Sequence, residues 1–428
     1  DACWYWEMMK ISFEYVPRNV CSIIHSSHTY YYMKKIFTSL FFSITSVVAF
    51  GQSPVVDSMI IFPLQEKHAH GSSLVALPNG DYLAAWFYGS GEKSADDVKI
   101  MGARLRKGQK KWSTPFLLAD TPGLPDCNPV LFLNRSGKLF LVWIAVQANR
   151  WEFSILRYKT STNYLKQGAP VWGWQDNILL KPGEEFASEV AARFKELPEA
   201  GHGWAEYAPS YDKMIIEASK DLKKRSIGWM TRIKPLITRS GRIVLPLYSD
   251  GFNFSMTAIS DDDGETWRPG LPIVGRGPIQ PALAQKKDGT IVAFMRDSGD
   301  EPSRVQRSES KNNGESWSAA LKTDIPNTAS VELCVLKNGK WAFLGNDIDD
   351  GRYRLSLYLS DDEGKTWKWK TRIEDHAKED GGYSYPCLIQ TADGLLRMTY
   401  SYHTGKNGKS IKYVVVDPAK MENEGRER

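Results

Sequence analysis

Six positions combine a chemically useful side chain with the same local context. His70, Asn128, Lys234, Gln280, Ser330 and Tyr385 each stand just before an apolar run that reads as a β-strand. Three share the pattern X-Pro-x-Leu, at Asn128-Pro129, Gln280-Pro281 and Tyr385-Pro386, and Lys234-Pro235 nearly matches it with Leu236-Ile237 behind. Their types cover different tasks. An imidazole or a phenol can move a proton, an ammonium can meet an anion, and amides can line a site for hydroxyl groups. Any one alone reads as structural, a core aromatic or a satisfied histidine. Six at equivalent points need elements that bring them together.

Those elements follow from a repeat. Ser260-Asp261-Asp262-Asp263-Gly264-Glu265-Thr266-Trp267 returns as Ser360-Asp361-Asp362-Glu363-Gly364-Lys365-Thr366-Trp367. A worn copy lies midway, Ser310-Lys311-Asn312-Asn313-Gly314-Glu315-Ser316-Trp317, so the tryptophans are 50 residues apart twice over. A period of that size means stacked supersecondary units. The box reads as a tight turn between strands: Ser and Asp bond backbone amides, Gly supplies a positive φ, and Trp packs under the neighbouring sheet.

Gly80, Gly137, Gly241, Gly289, Gly339 and Gly394 each separate two β-branched and aromatic runs, at successive spacings of 57, 104, 48, 50 and 55. The double-length gap holds an insertion over 181–230. There Phe186, Val190 and Phe194 at i, i+4, i+8 predict a helix over 184–197, and 211–224 reads as a second. Six units of four strands make an all-β fold, a six-bladed β-propeller over 55–420, with Met59–Phe62 closing the ring and the helical insertion between blades two and three. Degenerate boxes are expected to end at Trp112 and at Trp172 or Trp174. A β-sandwich with chance repeats fits the regular period less well. In a propeller the residues before the inner strands converge on a central funnel.

Composition narrows the partners. The net charge of +5 is mild and dispersed, which gives no nucleic-acid signature but suits an anionic substrate. Met33-Lys34-Lys35 and the apolar run to Phe50 read as a secretory signal peptide over 33–51, too short to span a bilayer, and imply a secreted or periplasmic protein. Residues 1–32 read as a non-native upstream segment. Cys127, Cys334 and Cys387 remain after the leader, an odd number that gives no disulfide framework, and no metal-ligand or EF-hand spacing is present. No metal and no cofactor are implied.

The turn boxes resemble the Asp-boxes (BNR repeats) of the sialidase superfamily. The resemblance covers nearly all of residues 60–415. It is closest to a divergent sialidase-like subgroup carrying His-Gly-x-x-Leu-Val…Gly-Asp, here from His70, Gly-Pro-Ile-Gln-Pro-Ala-Leu at 277–283, and Tyr-Ser-Tyr-Pro at 383–386. It implies a secreted six-bladed propeller that cleaves terminal sialic acids, with the boxes, Asp261 and Asp361 included, serving structure. Such a site implies three Arg gripping the substrate carboxylate, a Tyr nucleophile activated by a Glu, and an Asp acid/base. Carried over residue by residue, Arg296 takes the place of the second Arg and Arg352 of the third. Tyr385 takes that of the nucleophile, with Tyr383 as a close rival, and Asp97 or Asp96 that of the acid/base.

Two positions depart from the pattern. His70 stands for the first Arg, a weaker and switchable charge, and Gln280 stands for the activating Glu and cannot take a proton. Gln280 and Asn128 suit sugar hydroxyls, and Lys234 an anion. His202, Trp204, Glu206 and Tyr207 in the insertion could wall the funnel and stack on a sugar, and His403 could reach its rim.

Three functions are therefore expected to compete. The first is a secreted, monomeric sialidase-like exo-glycosidase acting on a terminal carboxylate-bearing sugar of a glycan, with no membrane span and no nucleic-acid partner. The second is a polysaccharide lyase on uronate-containing glycans, using His70, Tyr385, Lys234 and the two Arg. The third, suggested by the missing Glu, is a non-catalytic glycan-binding propeller.

Overall fold

A computed structural model describes residues 53–200, 211–405 and 408–424. The leader, the upstream segment and the four insertion residues His202, Trp204, Glu206 and Tyr207 lie outside the described residues. Six four-stranded antiparallel sheets make up the propeller. After a first strand, β1 (Val55–Ile60), blade one is β2 (His68–Ala76), β3 (Tyr82–Gly89), β4 (Lys99–Leu105) and β5 (Phe116–Ala119). Blade two is β6 (Asp126–Leu133), β7 (Leu139–Val146), β8 (Ser154–Ser161) and β9 (Trp174–Asn177). Blade three is β10 (Leu236–Ile237), β11 (Ile243–Ser249), β12 (Phe254–Ser260) and β13 (Arg268–Pro269). Blade four is β14 (Pro278–Gln285), β15 (Ile291–Asp297), β16 (Arg304–Ser310) and β17 (Leu321–Pro326), and blade five is β18 (Glu332–Val335), β19 (Trp341–Gly345), β20 (Arg354–Ser360) and β21 (Trp369–Asp375).

Blade six closes the ring. β22 (Gly381–Gln390), β23 (Leu396–Thr404) and β24 (Gly408–Val416) are joined by the first strand, β1 (Val55–Ile60), which pairs with β24 from Val55↔Val416 to Ile60↔Lys412. Closure pairs an edge that would otherwise stay open. The closing strand begins four residues earlier than Met59–Phe62 suggests, and Phe62 lies past its end, stacked on Trp86.

In the insertion, α1 (Glu184–Phe194) buries Phe186, Val190 and Phe194, the apolar stripe that predicts it. The second helix is broken in two. α2 (Tyr211–Ser219) ends, Asp221 accepts from Lys223 N at 2.9 Å, and α3 (Leu222–Arg225) starts from that cap. Buried Arg225 binds them together, donating to Pro182 O, Ser219 O and Lys220 O. α4 (Pro418–Glu424) follows blade six. Phe186 meets Trp229, Phe252 and Phe254, so the insertion shares the core of blades one to three.

Antiparallel order fixes which loops share an end. The segment before each inner strand and the loop after each second strand lie at one end, as the pairs His68↔Gly89, Asp126↔Ala145 and Pro278↔Asp297 show. The turn boxes, between third and fourth strands, lie at the other end with the Gly turns. There Gly264 holds φ 96°, and a Cβ on it would stand 2.6 Å from Phe140 of the preceding blade. Trp367 packs edge-on to Phe294 of that blade's counterpart, 6.0 Å between centroids. In the degenerate boxes Trp112 packs on Tyr413 and Trp172 on the core of blades one to three, while Trp174 is exposed.

Candidate active site

Four inner strands carry a bulge at their entry. The register shifts between His70 and Ser73, Cys127 and Val130, Ile279 and Ala282, and Ser384 and Cys387. At each bulge one residue has a left-handed backbone: Gly71 (φ 64°), Asn128 (51°), Gln280 (57°) and Tyr385 (55°). Three of these are not glycine, a conformation that costs energy and concentrates at functional sites. The bulge re-aims the side chain from the blade's layer into the shaft. It also corrects one equivalence read from the sequence: Gly71, not His70, stands where Asn128, Gln280 and Tyr385 stand, and His70 comes one residue earlier. Blades three and five lack the bulge; Lys234 and Ser330 precede short strands.

Tyr385 is the meeting point. Its Oη lies 3.3 Å from Gln280 Nε2 and 3.2 Å from Arg296 Nη1. The His70 ring stacks on it at 4.1 Å and 29°. The guanidinium of Arg352 stands 5.3 Å from its ring centroid and that of Arg232 4.9 Å. Residues from blades one, three, four and five thus surround one phenol of blade six. From blade two, Asn128 Nδ2 donates to Tyr248 Oη at 3.1 Å.

The cluster is charged and incompletely satisfied. His70 Nδ1, Gln280 Oε1, Arg296 Nε and Arg232 Nε are buried without a hydrogen-bond partner. Buried groups in that state point to a ligand or water that completes them. Burial, then the charges of His68, Arg352, His403 and Arg232, hold the His70 pKa well below the ordinary imidazole value, so the ring is neutral at pH 7. His403, whose Nε2 meets Ala69 O at 3.1 Å, is lowered chiefly by burial too. His68 pairs with Glu92 at 3.1 Å. Burial opposes ionisation of Glu92, but His68 and then the charge of Arg352 outweigh it and lower its pKa. Asp250, just after β11 at the funnel end, is exposed, as Asp96 and Asp97 are. The protein around it still raises its carboxyl pKa by desolvation, against the pull of Arg296 and Lys93.

The remaining expected residues lie elsewhere. Asp97 is exposed and caps its own loop, bonding Ser90 N at 2.8 Å and Ser90 Oγ at 2.7 Å and pairing with Lys67; the Ser90 bonds bring its pKa to about 2. Asp96, also exposed, accepts from Asn149 Nδ2 at 3.0 Å. Lys234 is paired with buried Glu332 at 2.8 Å, so its charge is already met. Tyr383 is packed among blade-six core residues, 5.2 Å from Tyr402 and 5.1 Å from His376, and does not join Tyr385. The bulge between Ser384 and Cys387 sends the two tyrosines to different surroundings.

Arg232, Tyr248, Asp250, Glu92 and His68 are site residues that the sequence reading missed. The signal for Asp250 was available: it follows β11 at the same end as the funnel, as Glu92 follows β3. Among the described residues no group of three or more His, Cys, Asp and Glu could hold a metal ion. A 700 Å³ hollow on the outer edge of blade four, lined by Arg193, Glu309, Trp317 and Lys322, contains none of the cluster around Tyr385.

Comparison with known proteins agrees with the fold. A family model described as a BNR repeat-like domain matches residues 80–192 and 197–398. An anhydrosialidase from Macrobdella decora is 22% identical over 238 residues, 49% of this chain and 29% of that protein. The aligned stretch therefore spans under a third of that curated relative. Among solved structures, the leech intramolecular trans-sialidase complexed with 2,7-anhydro-Neu5Ac superposes with a TM-score of 0.62 at 14% identity, covering 86% of this chain and 71% of that one. NanB sialidase from Streptococcus pneumoniae gives 0.61 at 13% with the same coverage. A protein of unknown function from Dyadobacter fermentans gives 0.63 at 14%, covering 85% and 98%. At these identities the likeness is one of fold.

Proposed function

The chain belongs to the BNR repeat-like domain family and has a sialidase-like six-bladed propeller fold, and from that premise we propose that it is an exo-glycosidase releasing a terminal carboxylate-bearing sugar from a glycan. The observation that carries this is the convergence of Arg296 and Arg352 on Tyr385 from three blades. Two guanidinium groups grip the sugar carboxylate and fix the anomeric carbon over the phenol. Tyr385 Oη attacks that carbon as the glycosidic C–O bond breaks, a protonated carboxyl hands its proton to the leaving oxygen, and water then hydrolyses the glycosyl-tyrosine.

Asp250 suits the proton donor better than Asp96 or Asp97, because desolvation shifts its carboxyl towards the protonated form while the Ser90 bonds shift Asp97 the other way. Gln280 bonds the phenol but cannot accept its proton. The phenolic proton therefore has to leave through water to His70, whose neutral ring stacks on Tyr385 and whose Nδ1 is unpartnered. The test is release of acidic sugar from a panel of sialosides and other acidic glycosides by the purified protein. Inertness across the panel, unchanged in Tyr385→Phe, would remove the reading.

A lyase on uronate-containing glycans is the second reading, favoured by the neutral His70 with its unpartnered Nδ1 beside three arginines. The imidazole would take the proton α to a uronate carboxylate neutralised by Arg296 and Arg352, and the leaving oxygen would depart from the β carbon. That product absorbs in the ultraviolet; no rise across uronic polysaccharides excludes it.

A further inference from the structure

The bulges that aim Asn128, Tyr385 and the His70–Gly71 pair into the shaft also take backbone carbonyls out of the β-ladder. A buried carbonyl without a donor costs about 1–3 kcal/mol. The donors come from one short segment, residues 230–232, which joins the insertion to blade three. Met230 bridges to Tyr248. Thr231 Oγ1 donates to Asn128 O at 2.7 Å. Arg232 Nη1 donates to Ser72 O at 3.2 Å and Nη2 to Pro386 O at 3.1 Å. Three consecutive residues thus reach blades three, two, one and six.

We propose that Arg232 is a positioning residue: it ties the blade-one and blade-six bulges together across the shaft and sets the Tyr385 ring in place for the reaction proposed above. Its side chain is 2% exposed, so it is not offered to substrate as Arg296 and Arg352 are. Its planar fork bonds two carbonyls on different blades, which one ammonium cannot reproduce with the same geometry. The guanidinium face then lies 4.9 Å from the Tyr385 centroid, a cation–π contact that fixes the ring as well as the backbone. The residue is not in a turn box and not at an inner-strand entry; its place is set by the carbonyls it satisfies.

The inference rests on Tyr385 being the reacting group, and its test separates the two ideas. Arg232→Lys and Arg232→Met are each measured for kcat and KM on the released-sugar substrate, and each free variant is crystallised. A misplaced nucleophile lowers kcat, by about a hundredfold for a shift of 1 Å, while KM stays within about threefold because Arg296 and Arg352 remain. Arg232→Lys should recover part of the loss. A KM rise with kcat unchanged would make Arg232 a substrate ligand and overturn the proposal. If the wild type turns over nothing, the functional reading fails and the crystals decide alone. Tyr385 displaced from Arg296 in either variant then supports positioning, and Tyr385 unmoved overturns it. If Arg232→Met does not fold, Arg232→Lys carries both measurements.

Discussion

The two ends of the propeller are built from the same strands, yet they treat polar side chains in opposite ways. At the turn-box end Asp262 accepts from Ser260 Oγ at 2.8 Å, Thr266 N at 2.9 Å and Thr266 Oγ1 at 2.5 Å, and Ser260 Oγ accepts from Gly264 N at 2.8 Å. Asp362 repeats the set at 2.7, 2.8 and 2.7 Å. The next residue reaches the preceding blade: Asp263 accepts from Arg135 N and Ser136 N, and Glu363 from Lys287 N. At the funnel end the bulge recurs but the side chains it carries differ, and His70, Gln280, Arg296 and Arg232 each leave a buried polar atom without a partner. Repeated carboxylate and hydroxyl bonds mark the fold's own needs, although the box tryptophans Trp112, Trp267 and Trp317 keep a buried ring N–H without a partner. Singular side chains left unsatisfied mark the place reserved for another molecule.

That contrast breaks most sharply at Tyr385. Tyr385→Phe removes only an oxygen, and the ring still stacks on His70. Turnover should fall by at least about a thousandfold, while calorimetry finds an acidic sugar bound within about threefold of wild type. An unchanged rate would move the chemistry elsewhere in the shaft.

Arginine offers a matched pair across the two ends. Arg352→Met should weaken acidic-sugar binding by about 10- to 100-fold, the loss of a charge-assisted bond of about 1.5–3 kcal/mol. Arg242, at the turn-box end, is already engaged by Asp261 at 2.6 Å and Glu315 at 2.6 Å. Arg242→Met should leave KM and kcat where they are and cost only stability. Equal kinetic effects at both arginines would erase the distinction between the ends.

Acid should act on the funnel first. Folding holds His70 and His403 below the ordinary imidazole value, so the unfolded chain binds protons more readily than the folded one. Their contribution is therefore intact above about pH 6.5 and is lost as pH falls below it. Melting temperature should drop between about pH 7 and 5, and His70→Gln should reduce that drop. The charges of His68, Arg352, His403 and Arg232 act on the ring, Tyr385 stacks on it, and Glu92 faces it only through His68. A slope unchanged in His70→Gln would show that the ring titrates normally.

How far the sequence could see follows the same division. The period of the tryptophans and the glycines between apolar runs is local and repeated, so the blades, the insertion and the stripe Phe186, Val190 and Phe194 are legible. Polar residues before inner strands are legible as a set, which is why Gln280, Tyr385 and Asn128 appear in it. The bulge is not legible, since a one-residue slip moves His70 out of the place assigned to it and puts Gly71 there. Arg232 is hidden for a related reason. Its role depends on which carbonyls face it from other blades, and no spacing within one blade encodes that. Lys234 and Asp97 look available in sequence but spend their charge on Glu332 and on Ser90.

The smallest effect on turnover is expected at the turn box, and the worn copy says how to measure it. Asn312 already stands where Asp262 and Asp362 do. Its Oδ1 accepts from Ser310 Oγ and Ser316 N, both at 3.0 Å, and its Nδ2 donates to Ser316 Oγ at 2.8 Å. An amide therefore fits the box with the hydroxyl bond reversed, and Asp362→Asn should cost less than Asp362→Ala, for which about 1–2 kcal/mol is expected from the bonds lost. Burial opposes ionisation of Asp362, but the bonds from Thr366, Ser360 and Lys365 outweigh it and hold its pKa at about 2. Its contribution is thus present above the ordinary carboxyl value and lost as pH falls towards about 2, a dependence that Asp362→Asn should remove. Denaturant unfolding of the two variants from neutral to acid pH checks this, with kcat unchanged in both. A loss of turnover on replacing Asp362 would make the far end part of the reaction and end the division on which the contrast rests.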